Sequence, residues 1–225
     1  LVGRPGEKPF ISSASQGVSG CGMGKRGTFV CVEGLDASGK TTQARLLVEG
    51  LRRMGYEAVY TTEPSGGEIG RFIRDRVLRG ERRVPCVVEA LLFALDRLDH
   101  VEREVEPALR EGKIVVSDRY VYSSLAYQGA AGLDPTWIEE VNRFALPPDL
   151  ALYIDVPPEV VVGRMGRRRS VMETLRNQRR VREAYLRLVE EGRLVPVDGN
   201  RPREEVARDI LSTVTEFLKE HNRVP

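Results

Sequence analysis

The chain has 225 residues, enough for one α/β domain with a full core or at most two small ones. With Lys+Arg 35 against Asp+Glu 33 the formal charge is +2, so overall charge argues neither for nor against nucleic acid. The three cysteines, Cys21, Cys31 and Cys86, are irregularly spaced and indicate neither a disulfide framework nor a zinc site. No apolar run reaches transmembrane length and the start lacks a signal-peptide core, so a reducing cytoplasm is the expected setting.

Residues 1–26 are rich in glycine and serine with little periodicity and are expected to form a flexible tail; residues 27–225 are expected to form one domain. Phe29 to Val32 reads as a short buried strand, and Gly34-Leu35-Asp36-Ala37-Ser38-Gly39-Lys40-Thr41 fits GxxxxGK[ST] at every fixed position. Ala44, Leu46, Leu47 and Leu51 then recur at helical spacing to about Met54, with Gly55 as the stop. A strand, a glycine loop and a helix make a phosphate cradle, because converging N–H groups and the helix dipole both favour an anion. Gly34 to Thr42 are therefore the expected nucleoside-triphosphate-binding residues, with Lys40 on the β- and γ-phosphates and the Thr41 hydroxyl toward Mg²⁺. Asp36 is awkward beside polyphosphate. It is either a solvated loop residue or one that faces away, toward a hydroxyl or a positive charge.

Ala58 to Thr62 reads as a second strand, Glu68 to Arg79 as a helix ended by Gly80, and Pro85 to about Leu109 as a long helix with a wide apolar face. On that helix Phe93 and Arg97 share a face at i, i+4; they are either a receptor for a planar base or, for the phenylalanine, plain core. Lys113 to Val116 is a third strand. It leads to Asp118, a Walker B-like magnesium residue or a helix cap, and to Arg119, able to bridge two phosphates. Helices follow from about Ser123 and from Pro135 to Phe144, then a strand at Leu150 to Ile154 and a helix from Pro158. Gly163 to Arg169 is a glycine-hinged arginine cluster. It suits a lid over a triphosphate at about residues 163–175, and otherwise a solvated charge run or nucleic-acid patch. Glu173 to Glu191, Leu194 to Val197 and Glu204 to Leu218 complete the pattern as helix, strand and helix. Alternating strands and helices predict an α/β fold of the P-loop NTPase type, with a five-stranded parallel sheet flanked by helices in three layers.

The blocks FVCVEGLDASGKTTQ (Phe29–Gln43), TTEPSGGEIG (Thr61–Gly70), LLFALDRLDH (Leu91–His100) and SDRYVYSSLAYQG (Ser117–Gly129) resemble the thymidylate kinases of the nucleoside-monophosphate kinase class. The resemblance runs over roughly residues 27–220 and is supported by YIDVPPEV (Tyr153–Val160). It implies γ-phosphoryl transfer from ATP to dTMP with Mg²⁺ in a homodimer, the partners being small molecules rather than nucleic acid or membrane. By the same resemblance Phe93 would stack on thymine, Arg97 would meet its O4 edge, and Ser123, Ser124 and Gln128 would line the pocket. Asp36 would take the 3′-hydroxyl, Tyr127 would crowd the 2′ position, and Glu63 and Pro64 would shape the acceptor pocket. Arg119 would hold the acceptor phosphate, Asp118 and Thr41 the magnesium, and Arg201, in the loop DGNRPREEV, would lie beneath adenine.

Three departures stand out. Ala37 occupies the place where some members carry a catalytic arginine, so Arg164, Arg167, Arg168 and Arg169 inherit that role, with Arg164 and Arg168 as the named candidates beside Lys40, Asp36 and Arg119. Thr62 replaces an arginine on the acceptor side, and Ser170-Val171-Met172-Glu173 replaces the usual Asp-Arg of the lid. The expectation is a dTMP kinase; the alternatives are a kinase for another nucleotide such as dUMP, or a nucleotide-dependent switch.

Overall fold

The computed structural model describes residues 26–79, 84–165 and 174–223. Five parallel strands form one sheet: β1 (Thr28–Gly34), β2 (Ala58–Thr62), β3 (Ile114–Asp118), β4 (Leu150–Asp155) and β5 (Val195–Asp198), in the order β2-β3-β1-β4-β5. All seven residues of β1 are buried, as a β-branched, apolar central strand with partners on both edges must be. Its neighbours are β3, with Val32 beside Asp118, and β4, with Gly34 beside Ile154; Thr62 of β2 also lies beside Asp118. The chain leaves β1 for β2, returns to β3, and only then crosses to β4, so the carboxyl end of β1 lies where the winding reverses. Ligands of open α/β sheets bind at such points.

The helices are α1 (Lys40–Arg53), α2 (Glu68–Phe72), α3 (Cys86–His100), α4 (Glu106–Arg110), α5 (Val121–Ala130), α6 (Pro135–Val141), α7 (Pro158–Arg164), α8 (Leu175–Glu190) and α9 (Arg203–Glu220). α1 packs with α9, and α5 packs with both α3 and α8, giving two groups that flank the sheet. Gly55, at φ 90°, stops α1 where the sequence places the stop. The helix expected from residue 68 runs through α2 into a π-helical segment, Ile73–Leu78, and Gly80 lies outside the described residues. The long helix expected from Pro85 is divided into α3, a π-helical turn at Val101–Val105, and α4. Pro107 cannot donate a backbone hydrogen bond, and the wider turn just before it accommodates that loss. α5 begins at Val121 rather than Ser123, and α6 ends at Val141 rather than Phe144.

At the amino-terminal edge of the sheet, Arg223 Nη1 donates to Gly27 O (3.2 Å) and Thr28 Oγ1 (2.8 Å) and pairs with Asp149, whose Oδ2 accepts from Phe29 N at 2.7 Å. No described helix is long and apolar enough to cross a membrane. Residues 1–25 and 166–173 lie outside the description, and with them the tail and the lid arginines Arg167, Arg168 and Arg169.

Candidate active site

The loop after β1 turns on three residues of positive φ: Gly34 (153°), Ala37 (59°) and Gly39 (98°). A Cβ on Gly34 would lie 2.8 Å from Ser38 Oγ and 2.9 Å from Ile154 O, so only glycine fits there. Gly39 caps α1 without a side-chain hydrogen bond, and no acid occupies the first turn. The helix N-terminus is thus left open for an anion.

Lys40 is 5% exposed, and its Nζ donates to the Leu35 carbonyl of its own loop at 2.5 Å. Burial first and the Arg119 charge second push its pKa down to about 8, against the opposing pull of Asp36, Asp118 and Glu33. Thr41 Oγ1 donates to Asp118 Oδ2, while Asp118 Oδ1 is buried with no hydrogen-bond partner among the described residues. A hydroxyl beside a carboxylate with an unsatisfied oxygen is a donor set that suits a hard cation such as Mg²⁺. Thr42 is exposed in the first turn of α1.

Asp36 does face away from the cradle. Its carboxylate pairs with Arg119 Nη2, and its backbone N–H donates to Tyr127 Oη at 3.0 Å. Burial alone would raise the Asp36 pKa, but the charges of Arg119 and Lys40 and the Tyr127 hydroxyl together hold it below the usual carboxylate value. Arg119 has φ 76°, a left-handed conformation costly for a side-chain-bearing residue. It is held there by Arg119 N to Val32 O (3.0 Å) and Ser117 Oγ to Arg119 O (2.7 Å). Its guanidinium donates to Ser123 Oγ (3.0 Å) and lies 5.1 Å from the Tyr127 ring centre. Arg164, the last residue of α7, reaches the loop from the other side, with Nη1 3.4 Å from Ala37 O.

A buried network surrounds Arg97. Glu63, following β2, takes Arg97 Nε at 3.0 Å and Nη2 at 2.8 Å on one oxygen and lies 3.3 Å from His100 Nδ1 on the other. Arg97 also donates to Asn142 Oδ1 and to Ser124 Oγ (3.3 Å), and stands 5.3 Å from the Tyr120 ring centre. Four of its five N–H groups are thereby engaged, so its expected contact with a base edge falls to one remaining Nη1 hydrogen. Phe93, one turn before, is half-exposed, and Gln128 is buried, with Nε2 donating to Glu89 Oε1 at 2.9 Å. The loop after Pro64 is pinned by Asp96, which accepts from Ser65 N (2.7 Å) and Oγ (2.6 Å), and by Arg74, which donates to Pro64 O (2.6 Å) and Ser65 O (2.7 Å).

Arg201 stands apart from this cluster. It is committed to Asp209 (2.5 Å) and to the Asp198 carbonyl (3.3 Å), beside a shallow cavity of about 330 Å³ lined by Pro196, Val197, Asp198, Asp209, Ser212 and Thr213. The same loop touches the cradle helix through Gln43 Nε2 to Arg203 O at 3.0 Å.

Glu33, Asn142, Glu89 and Arg74 escape sequence reasoning. Glu33 is fully buried at the end of β1. Its Oε1 accepts from Tyr120 N (2.8 Å) and Ser123 N (3.1 Å), and its Oε2 from Ser123 Oγ (2.6 Å) and Tyr185 Oη (2.9 Å). Burial raises its pKa despite these hydrogen bonds. It ties the start of α5, and so Arg119, to the strand that feeds the cradle. An acid inside an otherwise apolar strand was the available signal.

The arrangement brings a glycine-loop cradle, a hydroxyl–carboxylate pair and a buried polar network to one edge of the sheet. The thymidylate kinase family model matches residues 32–210. Similar proteins include the probable thymidylate kinases of Pyrococcus abyssi, 45% identical over 86% of this chain and 98% of its own length, and Thermococcus gammatolerans, 43% over 85% and 98%. That of Pyrobaculum aerophilum is 44% identical over 85% of this chain and 98% of its own. The chain belongs to the thymidylate kinase family.

Proposed function

We propose that the protein transfers the γ-phosphoryl group of ATP to dTMP, giving dTDP and ADP, in the cytoplasm and as a homodimer. The observation that carries the reading is the Asp36–Arg119–Tyr127 contact, which joins the phosphate cradle directly to the acceptor side. A protein that only hydrolyses a nucleotide has no use for that bridge.

In this reading the cradle N–H groups and Lys40 hold the donor phosphates, and Lys40 gives up the Leu35 carbonyl to do so. Arg119 spans donor and acceptor phosphate, Asp36 exchanges part of its ion pair for the 3′-hydroxyl, and Tyr127 leaves no room for a 2′-hydroxyl. Thr41 and Asp118 would hold Mg²⁺, which when bound neutralises charge on the transferring phosphates. Arg164, already against Ala37 O, is placed to add positive charge beside the cradle; Arg168 takes part on the strength of the resemblance alone. Catalysis is then alignment, exclusion of water and charge stabilisation, with no covalent intermediate. For the dimer, Val87, Val88, Leu91 and Leu95 expose a continuous apolar stripe on α3, with Phe72 and Leu78 also exposed.

The test is a coupled assay of ADP release with ATP and Mg²⁺, comparing dTMP, dUMP, dCMP, dGMP, the ribose analogue of dTMP and thymidine. Turnover concentrated on dTMP supports the assignment; ADP release indifferent to every acceptor overturns it. Sedimentation of wild type and Leu91→Glu tests the dimer.

A further inference from the structure

α3 and α5 meet through two polar rungs. Arg97 of α3 donates to Ser124 of α5, and Gln128 of α5 donates back to Glu89 of α3. Phe93 is four residues from both Glu89 and Arg97, so its half-exposed ring stands on the face between the rungs. Glu89, Arg97, Ser124 and Gln128 are each at most 5% exposed. The Arg97 rung belongs to the network around Glu63. The Glu89 rung reaches the Gln128 amide.

A carboxylate can only accept hydrogen bonds, so Gln128 must present its NH₂ group to Glu89 and turn its Oε1 the other way. That Oε1 is buried and has no hydrogen-bond partner among the described residues, a costly state for an amide oxygen unless a ligand donates to it. We infer that Glu89 is a positioning residue for base selectivity. By locking the Gln128 amide, it presents a fixed acceptor beside Phe93. Thymine offers an N3–H to such an acceptor, whereas cytosine offers a lone pair at N3 and is repelled. Uracil carries the same N3–H as thymine, so this device separates dTMP from dCMP but not from dUMP. The inference rests on the thymidylate kinase reading above.

The test uses the full chain and its Glu89→Gln, Gln128→Met and doubly substituted variants, with kcat/KM for dTMP, dUMP and dCMP measured on each preparation. Ratios within one preparation do not depend on the folded fraction. Gln at position 89 can donate as well as accept, which frees the Gln128 amide to turn. The dTMP-to-dCMP ratio should narrow by about tenfold or more in Glu89→Gln, mainly through a higher KM for dTMP. The dTMP-to-dUMP ratio should hold. Gln128→Met should narrow the same ratio, and adding Glu89→Gln to it should change the ratio no further. An unchanged ratio in Glu89→Gln, or equal narrowing in the Gln128→Met background, overturns the inference while leaving the dTMP kinase assignment intact. A wild-type protein with no preference for dTMP over dCMP overturns both.

Discussion

The phosphate end and the base end of the site are held in opposite ways. Around the cradle, polar groups rest in contacts that a bound phosphate or cation would replace: Lys40 on the Leu35 carbonyl and Thr41 on Asp118, whose other oxygen has no partner among the described residues. At the base end, Glu63, Arg97, His100, Asn142 and Ser124 satisfy one another inside the protein. On the proposed reading the first arrangement gives way to substrate, whereas the second is part of the core. Damage to the first should appear as lost turnover, and damage to the second as lost stability.

The largest stability effect is expected from Arg97→Met, which leaves the buried Glu63 carboxylate without its cation. A loss of about 3–5 kcal/mol in denaturant unfolding is expected. A loss below about 1 kcal/mol would mean the base end is not a structural unit. Lys40→Met should lower turnover by about 10²–10³-fold, the effect of losing a donor to the transferring phosphate, while the ligand-free protein melts no lower than wild type. An unfolded Lys40→Met protein would erase the contrast between the two ends.

The lowered pKa of Lys40 sharpens the comparison. Between its folded value of about 8 and the ordinary 10.5, the unfolded chain binds more protons than the native one, so stability contributed by this group rises with pH through that window. From pH 8 to about 9.5 wild type should gain about 2 kcal/mol relative to Lys40→Met in the absence of nucleotide. ATP binding near pH 8 should be accompanied by proton uptake, read by calorimetry in buffers of different ionisation enthalpy. The smallest effect is expected from Tyr127→Phe, which removes the acceptor for Asp36 N–H at a cost of about 1 kcal/mol in stability.

The same contrast decides what could be read from the sequence. The cradle is contiguous, and glycine, lysine and threonine spacing carries it without knowledge of the fold. Asp36 was out of place in that loop, to be read either as solvated or as turned toward a hydroxyl or a positive charge; its carboxylate meets Arg119 and its N–H meets the Tyr127 hydroxyl. The base end depends on pairs distant in sequence. Asn142 meets Arg97 from 45 residues away, and Glu63 meets it from 34. No local period announces such partners. Without them Arg97 reads as a free donor to a base, whereas the fold spends most of its guanidinium on Glu63, Asn142 and Ser124. The π-helical turns were equally hidden, since the apolar period continues through them.

The clasp of Arg223 on Gly27 and Thr28 brings the two ends of the folded unit together. A circular permutant that joins residue 223 to residue 27 through a short linker should therefore keep its core, with new termini opened in an exposed loop. That junction lies at the amino-terminal edge of the sheet. It is separated from the cradle by the seven residues of β1, roughly 20 Å. A fluorophore or surface tether attached there would report on, or immobilise, the enzyme without standing in the path of either nucleotide.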